Sequence, residues 1–265
     1  MEKGQRKKKL ILVVSFGSSN HRTRDRAIGG IERAIGQAFP EVLVRRAFTS
    51  GFIIRKLAKQ DGIEIDDVAG ALKKAAADGF TDLIIQPTHL MKGNEYQKLV
   101  GEAEAARELF SNIGIGDPLL SDESDIEDVI TAITEHTKSY DDGKTAVLFM
   151  GHGSDADANT VYARMQERLV QRGFMHTYIA TVEAEPAFED VLALIKEHGE
   201  NRVVLQPLMV VAGDHALNDM AGDDESSWLS ILKAEGYEVC PVLEGLGEME
   251  SIQEIYVEHV RECLV

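Results

Sequence analysis

The two halves of this 265-residue chain repeat one pattern. A strand-like run ends in a Gln-Pro pair at residues 86–87 in the first half and at residues 206–207 in the second. A glycine follows each pair at the same offset, as Gly93 and Gly213. A duplicated α/β unit accounts for this repetition better than chance does, and it restricts the chain to two similar domains.

Short β-branched runs alternate with longer segments that carry apolar residues at helical spacing. This alternation is typical of βαβ units around a parallel sheet, so the predicted fold class is α/β, with helices flanking a small parallel sheet in each domain. The predicted strands are Leu10–Ser15, Val42–Ala47, Asp82–Gln86, Ala146–Met150, Thr177–Thr181, Arg202–Gln206 and Tyr237–Cys240. Glycines follow three of the predicted helices at the place of a left-handed cap, namely Gly79, Gly199 and Gly236.

An acidic, loop-like stretch over residues 116–125 separates the two halves. Within it, Asp125 is the predicted N-cap of a helix that runs to about Thr137. We therefore predict an N-terminal domain over residues 1–124 and a C-terminal domain over residues 125–265, and we leave open that the C-terminal helix packs back on the first domain.

The balance of 28 Lys and Arg against 45 Asp and Glu gives a formal net charge of −17, which argues against a nucleic-acid partner. No apolar run approaches the ~20 residues that cross a bilayer, so no membrane partner is predicted. Lys7-Lys8-Lys9 before an apolar run resembles a signal peptide, but the run is short and lacks a clear cleavage site. With Cys240 and Cys263 as the only cysteines, a reduced cytoplasmic setting is predicted.

Three reactive side chains follow predicted strands of the second half: His152, Glu183 and His215. Ligands of parallel sheets bind beyond the carboxyl ends of the strands, so these three residues are expected at one edge. Two imidazoles and a carboxylate suit a divalent transition metal such as Co, Ni, Fe or Zn. Taken singly, each histidine could instead be a loop residue satisfied by backbone groups, and Glu183 a solvated surface residue. Their shared edge favours the joint metal site.

The first half offers polar residues at the corresponding positions. His89 follows the third predicted strand and is expected to face the same cleft from the opposite domain. By the repeat register, Glu95 stands where His215 stands in the second half. Ser18 and Ser19 either cap a helix or capture a substrate carboxylate together with helix NH groups. We predict Ser18, Ser19, His89 and Glu95 as substrate-binding residues.

The other histidines are predicted to be solvated, capping or surface residues: His21, His136, His176, His198 and His259. Nucleotide motifs are also missing. Gly143-Lys144-Thr145 looks like the end of a phosphate loop, but Lys138 stands where that pattern needs glycine. No GxGxxG follows a predicted strand, and no GxSxG is present. The sequence therefore predicts no nucleotide cofactor.

Several separated motifs resemble those of the anaerobic-type sirohydrochlorin cobaltochelatases of the class II chelatase superfamily. They are Val14–Ser19, Gln86–His89, Gly93–Tyr96, Met150–Ser154, Val182-Glu183, Gly213–Ala216 and Asn218–Met220. The resemblance runs from Leu10 to the C-terminus, with the motifs in the same order. It implies two domains with four-stranded parallel sheets, a cleft that holds the tetrapyrrole, and ATP-independent insertion of Co(II) during cobalamin synthesis.

The resemblance also implies roles for individual residues. His152 and His215 match the family's active-site histidines, and Glu183 matches its metal-binding glutamate. Glu185 stays a rival ligand, because Ala184-Glu185 replaces the tighter glycine-type turn that is expected there. The two histidines are expected to share metal binding and proton removal, since insertion of a divalent metal releases two pyrrole protons.

The predicted substrates are sirohydrochlorin and Co²⁺, with Fe²⁺ or Ni²⁺ as alternative metals. Because the macrocycle carries many carboxylates, basic residues such as Arg22, Arg24 or Arg45 are expected to attract it. The alternatives are a siroheme- or haem-type ferrochelatase and a non-catalytic protein that binds metal or tetrapyrrole. The sequence does not disclose the oligomeric state, and a homo-oligomer is left open.

Overall fold

The computed structural model describes residues 8–154 and 157–264. The chain forms two compact units. The first unit runs to Leu119 and takes in the chain again from Gln253 onward, whereas the second unit is the continuous stretch Leu120–Ile252. The boundary expected after residue 124 therefore lies a few residues beyond the structural one.

Four parallel strands make up the sheet of the first unit. They are β1 (Lys9–Ser15), β2 (Leu43–Phe48), β3 (Asp82–Pro87) and β4 (Asn112–Ile115), in the spatial order β2-β1-β3-β4. The central strands β1 and β3 are buried along nearly their whole length, because helices cover both faces of a parallel sheet. This burial explains the continuous apolar runs in the sequence.

The second unit repeats this topology. Its strands are β5 (Thr145–Gly151), β6 (Thr177–Thr181), β7 (Arg202–Pro207) and β8 (Glu238–Pro241), in the order β6-β5-β7-β8. Even the register is repeated, since Val13 pairs with Gln86 in the first sheet and Phe149 pairs with Gln206 in the second. The predicted fold class and the predicted duplication are confirmed.

The helices connect the strands and pack on the sheets. They are α1 (His21–Thr23), α2 (Gly29–Ala38), α3 (Gly51–Asp61), α4 (Val68–Ala77), α5 (Asn94–Ala105), α6 (Glu123–Thr137), α7 (Thr160–Gln171), α8 (Phe188–His198), α9 (Trp228–Ala234) and α10 (Glu250–Glu262). Two π-helical segments, Arg24–Ile28 and Ala216–Met220, lie among them. No helix in the described ranges is long and apolar enough to cross a bilayer.

Helix α8 shows how the apolar periodicity is used. Phe188, Val191, Leu192 and Ile195 are buried against the second sheet. The helix ends at Gly199, whose φ of +79° gives the left-handed cap that the sequence predicted. Gly79 and Gly236 also have positive φ, so all three glycine predictions are confirmed.

Two local expectations were wrong. The N-cap of α6 is Asp122, whose carboxylate accepts a hydrogen bond from Asp125 N at 2.9 Å, so Asp125 lies in the first turn rather than at the cap. Strand β4 is missing from the strands predicted along the chain, although the resemblance implies a fourth strand in this sheet. It has only four residues and includes Gly114, so its pairing with β3, rather than local propensity, defines it.

Helix α10 is part of the core of the first unit. Tyr256 is fully buried, and its hydroxyl donates to Thr88 O at 3.2 Å. His259 was expected to be solvated or to cap the end of its helix, but it is buried, and its Nδ1 lies 2.9 Å from Asp117 O. The C-terminal helix thus completes the unit that contains β1.

Candidate metal centre

His152 follows the last residue of β5 and begins a tight loop. Gly153 has a φ of +90°, and a Cβ at this position would lie 2.8 Å from Ala184 N. Only glycine fits both the conformation and the space. Gly151, the glycine before His152, is restricted by space alone, because a Cβ at this position would lie 2.5 Å from the ring of Tyr162. The backbone around His152 is therefore closely packed on both sides.

Glu183 is brought beside His152 by backbone pairing that continues past the ends of β5 and β6. Val182 N donates to Gly151 O at 3.1 Å, and Glu183 N donates to His152 O at 3.0 Å. The side chains follow the backbone, with His152 Nδ1 at 3.8 Å from Glu183 Oε2. The carboxylate of Glu185 instead accepts a hydrogen bond from Ala187 N at 3.0 Å, just before α8.

His215 reaches the same edge from the loop that follows β7. It lies directly before the π-helical segment Ala216–Met220, and its Nδ1 is 2.6 Å from Asp219 Oδ2. The His152 and His215 rings meet edge to face, with centroids 4.6 Å apart and planes at 89°. The structure therefore places two imidazoles in direct contact.

One potential ligand atom from each of His152, Glu183 and His215 lies within 4.8 Å of the other two. Their side chains are 46%, 54% and 35% exposed, so an ion and a further ligand can approach from solvent. The two nitrogen donors and one oxygen donor suit a divalent transition metal and leave coordination positions open. All three residues belong to the second unit.

Hydrogen bonds at Nδ1 indicate which nitrogen of each ring is available. His152 Nδ1 donates to Gly153 O at 2.9 Å, and His215 Nδ1 donates to the Asp219 carboxylate. A neutral imidazole that donates from Nδ1 carries its lone pair on Nε2. Asp219 lies in the Asn218–Met220 motif that carries the family resemblance, but its contact with His215 was not predicted. Its i,i+4 spacing from His215 was the available signal.

The first unit holds the other expected residues. His89 follows β3, and both of its ring nitrogens are buried without a hydrogen-bond partner in the described part of the chain. Burial lowers the pKa of His89 to about 4, and the negative charge of Glu95 acts in the opposite direction. Glu95 lies in the first turn of α5, and its Oε2 is likewise buried without a partner among the described residues. Both side chains retain unused hydrogen-bonding capacity.

Ser18 and Asn20 form hydrogen bonds within the loop that follows β1. Asn20, rather than either serine, caps α1 by accepting from Thr23 N at 3.2 Å. Ser18 is buried, and its hydroxyl lies 3.2 Å from the Thr23 hydroxyl and accepts from Asn20 N. Ser19 is half-buried.

Two of the three arginines that were expected to attract the substrate, Arg24 and Arg45, form contacts with other residues of the chain. Arg24 is 4% exposed and donates to Ser18 O at 3.3 Å, so the expectation that it attracts substrate at the surface was wrong. Arg45 forms an ion pair with Asp78 at 2.6 Å. Arg22 is exposed.

Comparison with known proteins gives one family. The model of the family described as cobalt chelatase (CbiK) matches residues 9–265. The chain is 40% identical to a sirohydrochlorin cobaltochelatase of Salmonella typhimurium over 257 residues, which cover 97% of each protein. It is 35% identical to sirohydrochlorin cobaltochelatase CbiKC of Nitratidesulfovibrio vulgaris over 255 residues, 96% of this chain and 89% of that protein.

Solved structures share the fold at much lower identity. SirB from Bacillus subtilis with Fe³⁺ has a TM-score of 0.64 at 16% identity, with 97% of this chain and 95% of that chain covered. CbiX, described as the terminal enzyme for biosynthesis of siroheme in denitrifying bacteria, has a TM-score of 0.59 at 13% identity, with coverage of 97% and 100%. These likenesses show the two-unit parallel-sheet fold.

Proposed function

The chain belongs to the cobalt chelatase (CbiK) family, and on this premise we propose that it inserts Co(II) into sirohydrochlorin without ATP. The observation that carries the proposal is the group formed by His152, Glu183 and His215, within 4.8 Å of one another at the carboxyl edge of the second sheet. Cobalt-sirohydrochlorin is an intermediate of anaerobic cobalamin synthesis, and this is the pathway that we propose for the enzyme.

The metal is held by Nε2 of His152, Nε2 of His215 and the Glu183 carboxylate. Three protein ligands hold the ion without closing its coordination sphere, which leaves positions for the pyrrole nitrogens. The negative charge of Glu183 offsets part of the charge of the ion. Since these side chains are one-third to one-half exposed, the ion can leave the protein with the macrocycle.

Proton removal is the other half of the reaction. Each insertion of a divalent metal releases two pyrrole protons, and a neutral imidazole is the side chain suited to accept them near neutral pH. The Asp219 carboxylate, 2.6 Å from His215 Nδ1, stabilises positive charge on that ring. One Nε2 lone pair cannot hold the ion and accept a proton at the same time. We therefore assign His152 as the more constant ligand and His215 as the base, whose Nε2 accepts one pyrrole proton after its bond to the ion has broken, while the second proton passes to solvent water.

Further details of the proposal follow from the sequence. Ser18, Ser19, His89 and Glu95 remain the predicted substrate-binding residues of the first unit, and the unused polar atoms of His89 and Glu95 support two of these assignments. Cytoplasmic placement and the absence of a nucleotide remain sequence predictions. The same donor set also binds Fe(II) or Ni(II), so metal preference is an outcome of the assay below.

The test is an absorbance assay with purified protein, sirohydrochlorin and Co(II) in the absence of ATP, repeated with Fe(II) and Ni(II). We expect turnover by the unaltered enzyme and a loss of at least ~100-fold in His152→Ala and His215→Ala, because each change removes a metal ligand. His136→Ala is the control, since His136 lies on α6 beside Glu244 and outside the metal group. Normal single-turnover rates in both site variants would refute the assignment, and binding without turnover would indicate a carrier.

A further inference from the structure

The repeat places Phe16 of the first unit where His152 stands in the second. In the two sheets the pair Val13–Gln86 corresponds to the pair Phe149–Gln206, and counting forward from these pairs aligns Phe16 with His152. The next residue is a glycine with positive φ in both units, +104° at Gly17 and +90° at Gly153. The correspondence therefore extends beyond the strands into the loop.

Backbone hydrogen bonds align the second member of the metal group in the same way. Ser50 N donates to Phe16 O at 3.2 Å, just as Glu183 N donates to His152 O at 3.0 Å. Ser50 is thus the counterpart of Glu183. With Glu95 at the position of His215, the first unit has Phe, Ser and Glu where the second has His, Glu and His. A single carboxylate beside an aromatic ring is not a transition-metal site.

The first unit has exposed aromatic side chains near the positions that hold the metal group in the second unit. Phe16 is 51% exposed, and Phe52, in the first turn of the helix that Ser50 caps, is 65% exposed. Single exposed apolar side chains are common, but two exposed aromatic side chains on the same edge of one sheet suit a ligand with a flat apolar face. Both residues lie beyond the carboxyl ends of their strands, which is the edge where ligands of parallel sheets bind.

Two exposed arginines lie on the segments that follow β1 and β2. Arg55 lies one helical turn after Phe52 and is exposed, and Arg22 is exposed in α1. Neither arginine forms an ion pair within residues 8–154 and 157–264, although the chain carries a net charge of −17. Aromatic rings with neighbouring guanidinium groups complement a flat, conjugated ligand with carboxylates on its rim.

We propose that Phe16, Phe52, Arg22 and Arg55 form a macrocycle-binding face on the first unit. Phe16 lies against the flat face of the tetrapyrrole, and the arginines bind its peripheral carboxylates. This assignment rests on the proposed function, because sirohydrochlorin is the ligand whose chemistry it uses. In each unit the same backbone position contacts one of the two substrates: the metal at His152 and the macrocycle at Phe16.

The test separates macrocycle binding from metal binding. Metal-free sirohydrochlorin is titrated into Phe16→Ala, Phe16→Leu and Phe16→Trp, and Co(II) is titrated into the same proteins without sirohydrochlorin. We expect Phe16→Ala to weaken sirohydrochlorin binding about tenfold, Phe16→Leu to weaken it less, and Phe16→Trp to retain it, with unchanged Co(II) affinity in all three. In the turnover assay, Phe16→Ala should raise KM for sirohydrochlorin.

Leu109→Ala is the matched control, because Leu109 is equally exposed in the first unit but follows α5. Unchanged sirohydrochlorin binding in Phe16→Ala, or an equal loss in Leu109→Ala, would overturn the proposed face. If the unaltered enzyme turns over and Phe16→Ala binds normally, only the face is wrong. If the unaltered protein binds sirohydrochlorin through Phe16 but never inserts cobalt, the face stands and the proposed function fails.

Discussion

Asp219 lies one helical turn after His215 and holds its Nδ1 at 2.6 Å. Carboxylates that contact a ligating imidazole fix its orientation and raise its basicity, and their loss typically lowers metal affinity or activity by ~10- to 100-fold. We therefore expect Asp219→Asn to lower the rate of cobalt insertion at least ~10-fold. Asp223→Asn removes the same charge from an exposed site nearby and should leave the rate unchanged. Equal rates in both variants would contradict the role of Asp219.

Glu183 and Glu185 can be told apart by the same charge-removing change. Glu183 Oε2 lies 3.8 Å from His152 Nδ1, whereas the Glu185 carboxylate bonds to Ala187 N. We expect Glu183→Gln to weaken Co(II) binding by ~10-fold or more, and Glu185→Gln to leave it within about twofold. Titration of Co(II) into each purified variant measures this difference. A larger loss of Co(II) affinity in Glu185→Gln would make Glu185, rather than Glu183, the metal ligand.

Gly153 allows the conformational and steric effects of a side chain to be separated. Gly153 and Gly173 have nearly equal φ, +90° and +87°, but a Cβ on Gly153 would meet Ala184 N at 2.8 Å, whereas nothing lies within 4 Å of one on Gly173. We expect Gly173→Ala to lower the free energy of unfolding by about 1 kcal/mol, from backbone conformation alone.

Gly153→Ala should lower stability further and also weaken Co(II) binding, because the clash moves the backbone that pairs His152 with Glu183. Urea denaturation and Co(II) titration of both variants measure the two effects. Unchanged metal affinity in a destabilised Gly153→Ala would show that the group tolerates a shift of this loop.

His89 makes stability depend on pH. Burial holds its pKa at about 4 in the folded protein, against 6.5 for an exposed histidine. The unfolded chain therefore takes up a proton first as the pH falls, so the stability is fully present above pH 6.5 and decreases toward pH 4. By proton linkage the loss reaches about 2 kcal/mol at pH 5.

We expect His89→Gln to lose less stability than the unaltered protein between pH 7 and pH 5. Urea denaturation at the two pH values measures the difference. The control is His136→Gln, which removes a partly exposed histidine and should keep the original pH dependence. The same loss in His89→Gln as in the unaltered protein would mean that the pKa of His89 does not differ between the folded and unfolded states.

Glu200 is a buried carboxylate at the amino ends of the strands, away from the metal group. It accepts hydrogen bonds from the Tyr178 hydroxyl at 2.6 Å and from His176 Nδ1 at 2.8 Å. Burial alone would raise the pKa of Glu200, but these hydrogen bonds lower it overall. The carboxylate therefore stabilises the fold above about pH 4.5, and this contribution is lost as the pH falls through the lower pKa of the folded state.

At pH 7 we expect Glu200→Gln to lower the free energy of unfolding by about 2 kcal/mol, because two donors lose a charged acceptor. Glu197→Gln, on the exposed side of α8, should have little effect. The urea midpoint gives the first result, and the cobalt insertion rate per folded molecule should be unchanged in both variants. A slower rate in folded Glu200→Gln would link this cluster to catalysis.

The sequence predicted the metal group because its three members follow parallel strands that end at one edge. That rule needs only strand positions, and these were available from apolar and β-branched runs such as the ones predicted to end at Met150 and Thr181. The same reasoning did not predict the hydrogen bond between Asp219 and His215. That contact depends on one short π-helical turn, Ala216–Met220, which was not among the predicted helices.

Other features depend on tertiary contacts that no local pattern carries. Arg24 is buried because its guanidinium reaches Ser18 O and His21 Nδ1, although an arginine in a polar stretch is ordinarily solvated. Asp122 and Asp125 are equally good caps by residue type, and only the extended backbone of Asp122 decides between them. Strand β4 forms because β3 offers it an edge.

The path of the chain sets the order in which the protein can be completed during synthesis. The second unit is continuous from Leu120 to Ile252, so its residues are synthesised in one uninterrupted stretch. The first unit has to wait for Tyr256, which is buried in it and bonds to Thr88 O next to β3. Although domains generally fold in the order of synthesis, here the unit that is made first is the one that is finished last.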